Sequence, residues 1–177
     1  MPSEVLIAYC TRSGSTREVA DRIAETMRKS GLLAEAKPIA EVRSIPQGTA
    51  MLLGTALYIG HFPREFHEFL ERFRKQLQGV RPWIFVLGPT EKERKQFAAA
   101  EEQARKELGK HPWLHAADMR VLGGKFDPQH LNLPFPMGLI MKLPANPMRR
   151  LPASDIRDWD WIDRWAEAIA ETLTTSV

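Results

Sequence analysis

The chain has 177 residues, 44% of them hydrophobic, which suits one domain (1–177) built around a single sizeable core and leaves no room for a second module of ordinary size. One cysteine excludes an internal disulfide and a cysteine-based metal site, and no run of about 18 apolar residues marks a membrane span. The formal net charge is only +3, and no dense Lys/Arg cluster with interleaved aromatics appears, which argues against nucleic-acid binding.

Met1-Pro2-Ser3-Glu4 leads into apolar residues without a charged-then-apolar leader, so a cytoplasmic protein is expected. Val5 to Tyr9 is a β-branched and apolar run of strand length. It breaks into small hydroxyl residues and one glycine, and Val19, Ala20, Ile23, Ala24 and Met27 then recur at helical spacing. In the loop between, Thr11, Ser13, Ser15 and Thr16 offer hydroxyls and Gly14 lets the backbone fold closely around a ligand. Unpaired N–H groups at the helix start favour an anion there, and a phosphate is the natural guest. The plainer alternative is that Ser13 only caps the helix and the other hydroxyls face water.

Gly31 marks the helix end, and Leu32 to Ile39 reads as a second strand. After a turn at Ile45-Pro46-Gln47-Gly48, the run Ala50 to Gly54 reads as a strand covered on both faces. Phe66, Phe69, Leu70, Phe73 and Leu77 then lie on one face of a helix with Pro63 in its first turn and Gly79 at its end. Trp83 to Leu87 is a fourth strand, ending in Gly88-Pro89. Thr90-Glu91-Lys92-Glu93 has the spacing of a capping box, predicting a helix to Gly109 with a thin inner stripe of Phe97, Ala100, Ala104 and Leu108. Met119 to Phe126 predicts a fifth strand, and Asp158 a cap for a last helix that buries Ile162, Trp165, Ala166, Ile169 and Leu173.

Strand and helix thus alternate five times, which predicts an α/β fold with a doubly wound five-stranded parallel sheet and helices on both faces. Ligands of such sheets sit outside the carboxyl ends of the strands. Three loops meet there in this reading: Thr11 to Thr16, Thr55 to His61, and Gly88 to about Arg94. Tyr58 in the second offers a ring on which a flat heterocycle stacks. The insertion before the last helix, Asp127 to Ala153, combines six prolines with Leu131, Leu133, Phe135, Met137, Leu139, Ile140, Met141 and Leu143. Leu133 to Leu143 is expected to form an apolar wall or short helix that admits a quinone or porphyrin-like substrate, a redox partner or a membrane surface. The alternative is that it covers the sheet edge or closes a homodimer.

The motifs also carry a family resemblance. Thr11-Arg12-Ser13-Gly14-Ser15-Thr16 resembles the flavodoxin phosphate loop, with Ser13 where that pattern has its middle threonine. Gly54-Thr55-Ala56-Leu57-Tyr58-Ile59-Gly60 is similar to the Gly-Ser-x-x-Tyr-x-Gly segment of flavodoxin-domain proteins, and Trp83 to Pro89 to their Trp-x-Phe-x-x-Gly-Pro strand end. Arg157 to Ile162 and Trp165 to Ala170 resemble their last helix. The resemblance implies a flavodoxin-like fold and FMN as cofactor. It implies that Thr11, Arg12, Ser13, Gly14, Ser15 and Thr16 hold the phosphate, while Thr55, Ala56, Leu57, Tyr58, Ile59, Gly60, Gly88, Pro89 and Thr90 surround the ring. No metal and no obligatory acid or base follow, although His61 beside the ring is a candidate for lending charge or relaying a proton.

The family branch that includes the menaquinone-dependent protoporphyrinogen oxidase shares an extra loop before the last helix. It implies an FMN-dependent oxidoreductase acting on a quinone or a porphyrin-like substrate, with peripheral contact to the inner membrane face through 131–143. Alternatives are a simple flavodoxin-type electron carrier and a non-catalytic adaptor. Flavodoxins that act as carriers tend to be acidic, so the net charge of +3 implies a different partner, while the basic excess from Lys125 to Pro152 (Lys125, Lys142, Arg149 and Arg150 against Asp127) points to anionic lipid or an acidic protein, or more simply to scattered surface charge. A rival of another class is a low-molecular-weight phosphatase, since Cys10 opens the loop and Asp127-Pro128 is similar to that family's general acid. Its Cys-x5-Arg spacing puts arginine at Thr16, and Arg17 comes one residue late.

Overall fold

The computed structural model describes residues 4–128 and 152–175. The apolar segments of 131–143 and the prolines from Pro134 to Pro147 lie outside the described residues.

Five parallel strands form one sheet in the order β2-β1-β3-β4-β5: β1 (Glu4–Tyr9), β2 (Leu33–Pro38), β3 (Ala50–Ala56), β4 (Trp83–Leu87) and β5 (Asp118–Leu122). Alternation along β1 explains the two cores. Val5, Ile7 and Tyr9 point to one face and pack with Val19, Ala20 and Ile23 of α1 (Ser15–Lys29) and with Ile162, Ala166 and Ile169 of α5 (Trp159–Thr175). Leu6, Ala8 and Cys10 point to the other, where α2 (Arg64–Arg72), α3 (Arg74–Gln78) and α4 (Arg94–Leu108) lie. β1 and β3 are neighbours whose following connections run to opposite faces, so a crevice opens at their carboxyl ends.

Four local expectations change. The helix over 64–78 is two pieces, broken at Phe73 (φ −102°, ψ 18°), with Pro63 preceding the first turn rather than inside it. The Arg72 guanidinium holds the break by donating to the carbonyls of Ile39 (3.2 Å) and Val42 (3.0 Å) while lying over the Phe73 ring. The capping box at Thr90 does not form: α4 starts at Arg94 with extended Glu93 before it and no side-chain cap. The chain is held outward there, because Gly88 N–H donates to Leu122 O and Pro89 O accepts from Gly124 N–H.

The fifth strand ends at Leu122, not Phe126. A side chain at Gly123 collides with the Ile156 carbonyl, and the chain turns into a short antiparallel pair, β6 (Lys125–Phe126) with β7 (Ser154–Asp155). Finally, Gly14 (φ 85°), and not Ser13, stands before α1, and no side chain caps that helix. Asp158 does cap α5, its Oδ1 accepting from Trp161 N–H at 2.9 Å.

Gly54 in β3 faces Phe85 in β4, and a Cβ there would run into the Phe85 ring. Gly54→Ala is therefore expected to destabilise the protein by about 1–3 kcal/mol through overpacking. Urea unfolding checks this, and an unchanged midpoint contradicts it.

Candidate functional site

The predicted loops meet because their parent strands are adjacent. Cys10 N–H donates to Gly54 O (2.8 Å), Leu57 N–H to Leu87 O (2.8 Å), and Arg12 N–H to the Tyr58 hydroxyl oxygen (3.1 Å). The first loop is thus tied directly to the second, and the second to β4.

Within the first loop, Thr11 Oγ1 accepts from Gly14 N–H at 2.9 Å and folds the backbone toward α1. Glu18 is the first residue of α1 whose N–H finds a helical carbonyl, that of Gly14. Among the described residues no group accepts from the N–H of Ser15, Thr16 or Arg17, so three donors at the positive end of the helix stay open. Thr16 beside them is 0% exposed, and its hydroxyl has no partner among the described residues. A buried hydroxyl without a partner is rare and costs about 1–3 kcal/mol. Open amides and a buried donor in one loop are what an anion needs. Ser13 is exposed, and Arg17 pairs with Asp21 (3.5 Å) away from the loop.

The second loop is a two-residue hairpin turn. Tyr58 N–H donates to His61 O (2.9 Å), His61 N–H returns to Tyr58 O (3.1 Å), and Ile59 (φ 52°) and Gly60 (φ 78°) between them are both left-handed. A β-branched residue at positive φ is strained by about 1–3 kcal/mol, and Ile59 is also 72% exposed. Strain and exposure coincide at the tip. Thr55 behind it is fully buried with an unpartnered hydroxyl, Ala56 is buried, and Leu57 is half-buried.

Hydrogen bonding narrows which amides are open for a ligand. Leu57, Tyr58 and Gly88 N–H are already committed, and Pro89 has none. Among the described residues, no group accepts from the N–H of Ile59, Gly60 or Thr90. One face of the Tyr58 ring carries the Arg12 guanidinium, 4.9 Å from its centroid, and Arg12 also reaches Glu65 at 3.6 Å. Burial pushes the Cys10 thiol up to about 11, helped by Glu65 and opposed by Arg12. A thiol held protonated and an arginine turned outward do not make a phosphatase cradle.

Sequence patterns did not point to two further clusters. Arg157 is 2% exposed, yet its guanidinium forks onto Asp155 (2.8 and 2.6 Å), meets Glu18 Oε2 (2.8 Å), and donates to Ser15 O at the start of α1 (3.3 Å). Its plane lies over Trp159 at 4.6 Å. The second cluster centres on Glu107, 5% exposed in α4. It accepts from Phe62 N–H (3.1 Å), Lys110 Nζ (2.6 Å) and His67 Nε2 (2.9 Å), and His61 Nδ1 lies 3.2 Å away. His61 is therefore anchored rather than free. The sequence signal for Glu107 was its place on the apolar stripe, one turn after Ala104.

Burial works to raise the Glu107 carboxyl, but hydrogen bonds from Lys110, His67, His61 and Phe62 outweigh it and hold the group at about 2 instead of its ordinary 4.5. A depressed carboxyl contributes stability that is complete above 4.5 and lost as pH falls through 2. The contribution is on the order of 3 kcal/mol. Glu107→Gln is expected to be less stable than wild type in urea at pH 7, with the gap closing between pH 4.5 and 2. A gap independent of pH contradicts this assignment.

The flavodoxin domain profile matches residues 6–145. The protoporphyrinogen IX dehydrogenase [quinone] of Escherichia coli K12 is 23% identical over 172 residues, covering 94% of each chain. Among solved structures, oxidised Flavodoxin 2 from Bacillus cereus superposes with a TM-score of 0.57 at 17% identity, over 96% of this chain and 99% of that one. An archaeal flavodoxin gives 0.57 at 11% identity, over 97% and 99%. With its strand order, its paired loops at the β1–β3 crevice and a profile match over most of its length, the chain belongs to the flavodoxin domain family.

Proposed function

We propose that the protein binds FMN at the β1–β3 crevice and is an FMN-dependent oxidoreductase of the quinone-linked, protoporphyrinogen-oxidising kind. The observation that carries the cofactor is the buried Thr16 hydroxyl, without a partner among the described residues, beside the three open amides of α1, a donor set suited to a phosphate monoester. Thr11, Ser13 and Ser15 add hydroxyls on the same loop. Ile59, Gly60 and Thr90 offer N–H groups to the polar rim of the ring, and Tyr58 offers its face once Arg12 swings toward Glu65. When bound, FMN supplies the redox chemistry, while the chain binds, orients and tunes it. Arg12, Thr55, Ala56, Leu57, Gly88 and Pro89 shape the crevice, and His61, fixed by Glu107, sets the charge beside it.

The substrate class is supported by the similarity to the E. coli dehydrogenase over 94% of both chains. A simple electron carrier is the second reading, favoured by the flavodoxins that superpose on nearly the whole chain. No helix among the described residues is long and apolar enough to cross a membrane.

Titration of the flavin-free protein with FMN and with riboflavin tests the cofactor: saturable binding that prefers FMN is expected, and none would refute it. Turnover of protoporphyrinogen with menaquinone then separates enzyme from carrier. Single-turnover flavin reoxidation without catalysis favours the carrier.

A further inference from the structure

Four side chains on the α2–α4 side form a linear chain of polar contacts: Glu107, His67, His111 and Glu71. His67 Nε2 lies 2.9 Å from Glu107, His67 Nδ1 lies 2.8 Å from His111 Nε2, and His111 Nδ1 lies 2.7 Å from Glu71 Oε1. Both ends accept. Glu107 takes hydrogens from Phe62 N–H and Lys110, and Glu71 takes one from Trp113 Nε1 at 3.2 Å. The hydrogen bond from His111, against a smaller opposing effect of burial, holds the Glu71 carboxyl below its usual range.

Three contacts between acceptor ends need three hydrogens on the four ring nitrogens. Two neutral imidazoles carry two. With only two, one contact sets lone pair against lone pair, and with four the central contact sets N–H against N–H. The only fully satisfied state has one extra proton on the pair. That proton passes from His67 Nδ1 to His111 Nε2 without disturbing either outer contact: protonated His67 and neutral His111 become neutral His67 and protonated His111.

The carboxylates Glu107 and Glu71 face that proton, and each also meets a cation: Lys110 lies 2.6 Å from Glu107 and Arg74 3.9 Å from Glu71, with His61 3.2 Å from Glu107. What the cluster holds is also clear: Glu107 bonds His61, which closes the strained turn at Ile59 and Gly60 with Tyr58, and the N–H of Phe62, the next residue.

We propose that one proton shared between His67 and His111 fixes the Glu107 carboxylate in place, making it the positioning residue for the Tyr58–His61 turn. Its link to flavin rests on the cofactor reading above, but its test in flavin-free protein does not.

In histidine ring-nitrogen NMR of the flavin-free protein at neutral pH, His67 and His111 together should carry three hydrogens. Two would overturn the proposal. Amide exchange is the second arm: Glu107→Gln should speed exchange at Tyr58, His61 and Phe62 at least about tenfold, leaving β1 and β4 unchanged. A uniform increase, or none at the turn, overturns it. His111→Phe keeps Glu107 and removes the ring that shares the proton with His67, so it carries the test if the first variant fails to fold; about threefold faster exchange at the turn is expected, and unchanged exchange counts against the proposal. If wild type binds flavin, riboflavin should bind about tenfold more weakly to Glu107→Gln while inorganic phosphate at the first loop binds as before. Absence of flavin binding by wild type would defeat the cofactor reading and leave the exchange result to decide this one.

Discussion

The Thr16→Val protein is expected to be more stable than wild type without flavin, and to bind FMN roughly ten to a hundred times more weakly. Both changes have one cause. The Thr16 hydroxyl is fully buried with no acceptor or donor among the described residues, so flavin-free protein bears its desolvation cost of about 1–3 kcal/mol. Valine keeps the shape and removes the cost, and threonine and valine differ little in helix propensity. A hydrogen bond to a charged phosphate contributes about 1.5–3 kcal/mol, and about 1.4 kcal/mol is tenfold in affinity. Urea unfolding without flavin and fluorescence titration with FMN measure the two. Riboflavin, which lacks the phosphate, should lose little. Equal losses for FMN and riboflavin would mean that Thr16 does not meet the phosphate.

Arg157→Met is expected to lower stability by about 3 kcal/mol and to weaken FMN binding as well. Removing one partner of a buried ion pair typically costs about 3–5 kcal/mol, and the low end applies because Glu18 and Asp155 are partly open to water. The second effect follows from position: the same guanidinium donates to Ser15 O, so it braces the first turn of α1 whose amides face the crevice. Arg157→Lys keeps the charge but cannot fork onto Asp155 while reaching Glu18 and Ser15, so an intermediate loss is expected. Urea midpoints and FMN titrations of the three proteins check the order. Wild-type affinity in Arg157→Met would separate this arginine from the phosphate loop.

These predictions draw on two kinds of information. The strand and helix order was legible because burial imposes a local period: β1, β3 and β4 are continuous apolar runs since helices cover both their faces, and Val19, Ile23 and Met27 recur every turn of α1. The small hydroxyl residues after Tyr9 were legible as a candidate anion loop for a similar reason, since the groups proposed to act there are neighbours in the chain. Misplaced boundaries arose where a distant group overruled a local pattern. Arg72 bonding Ile39 and Val42 broke the helix at Phe73, and Ile156 against Gly123 ended β5.

The sequence by itself thus determined the alternating architecture and the run of hydroxyl residues in the first loop, because periodicity and loop composition are written in consecutive residues. Only the tertiary structure decided that Arg157 braces Ser15, that Glu107 anchors the Tyr58–His61 turn, and which amides of that turn stay open. Those pairings join residues 45 to 142 positions apart, and their energies depend on distance and burial in space. No local period records either.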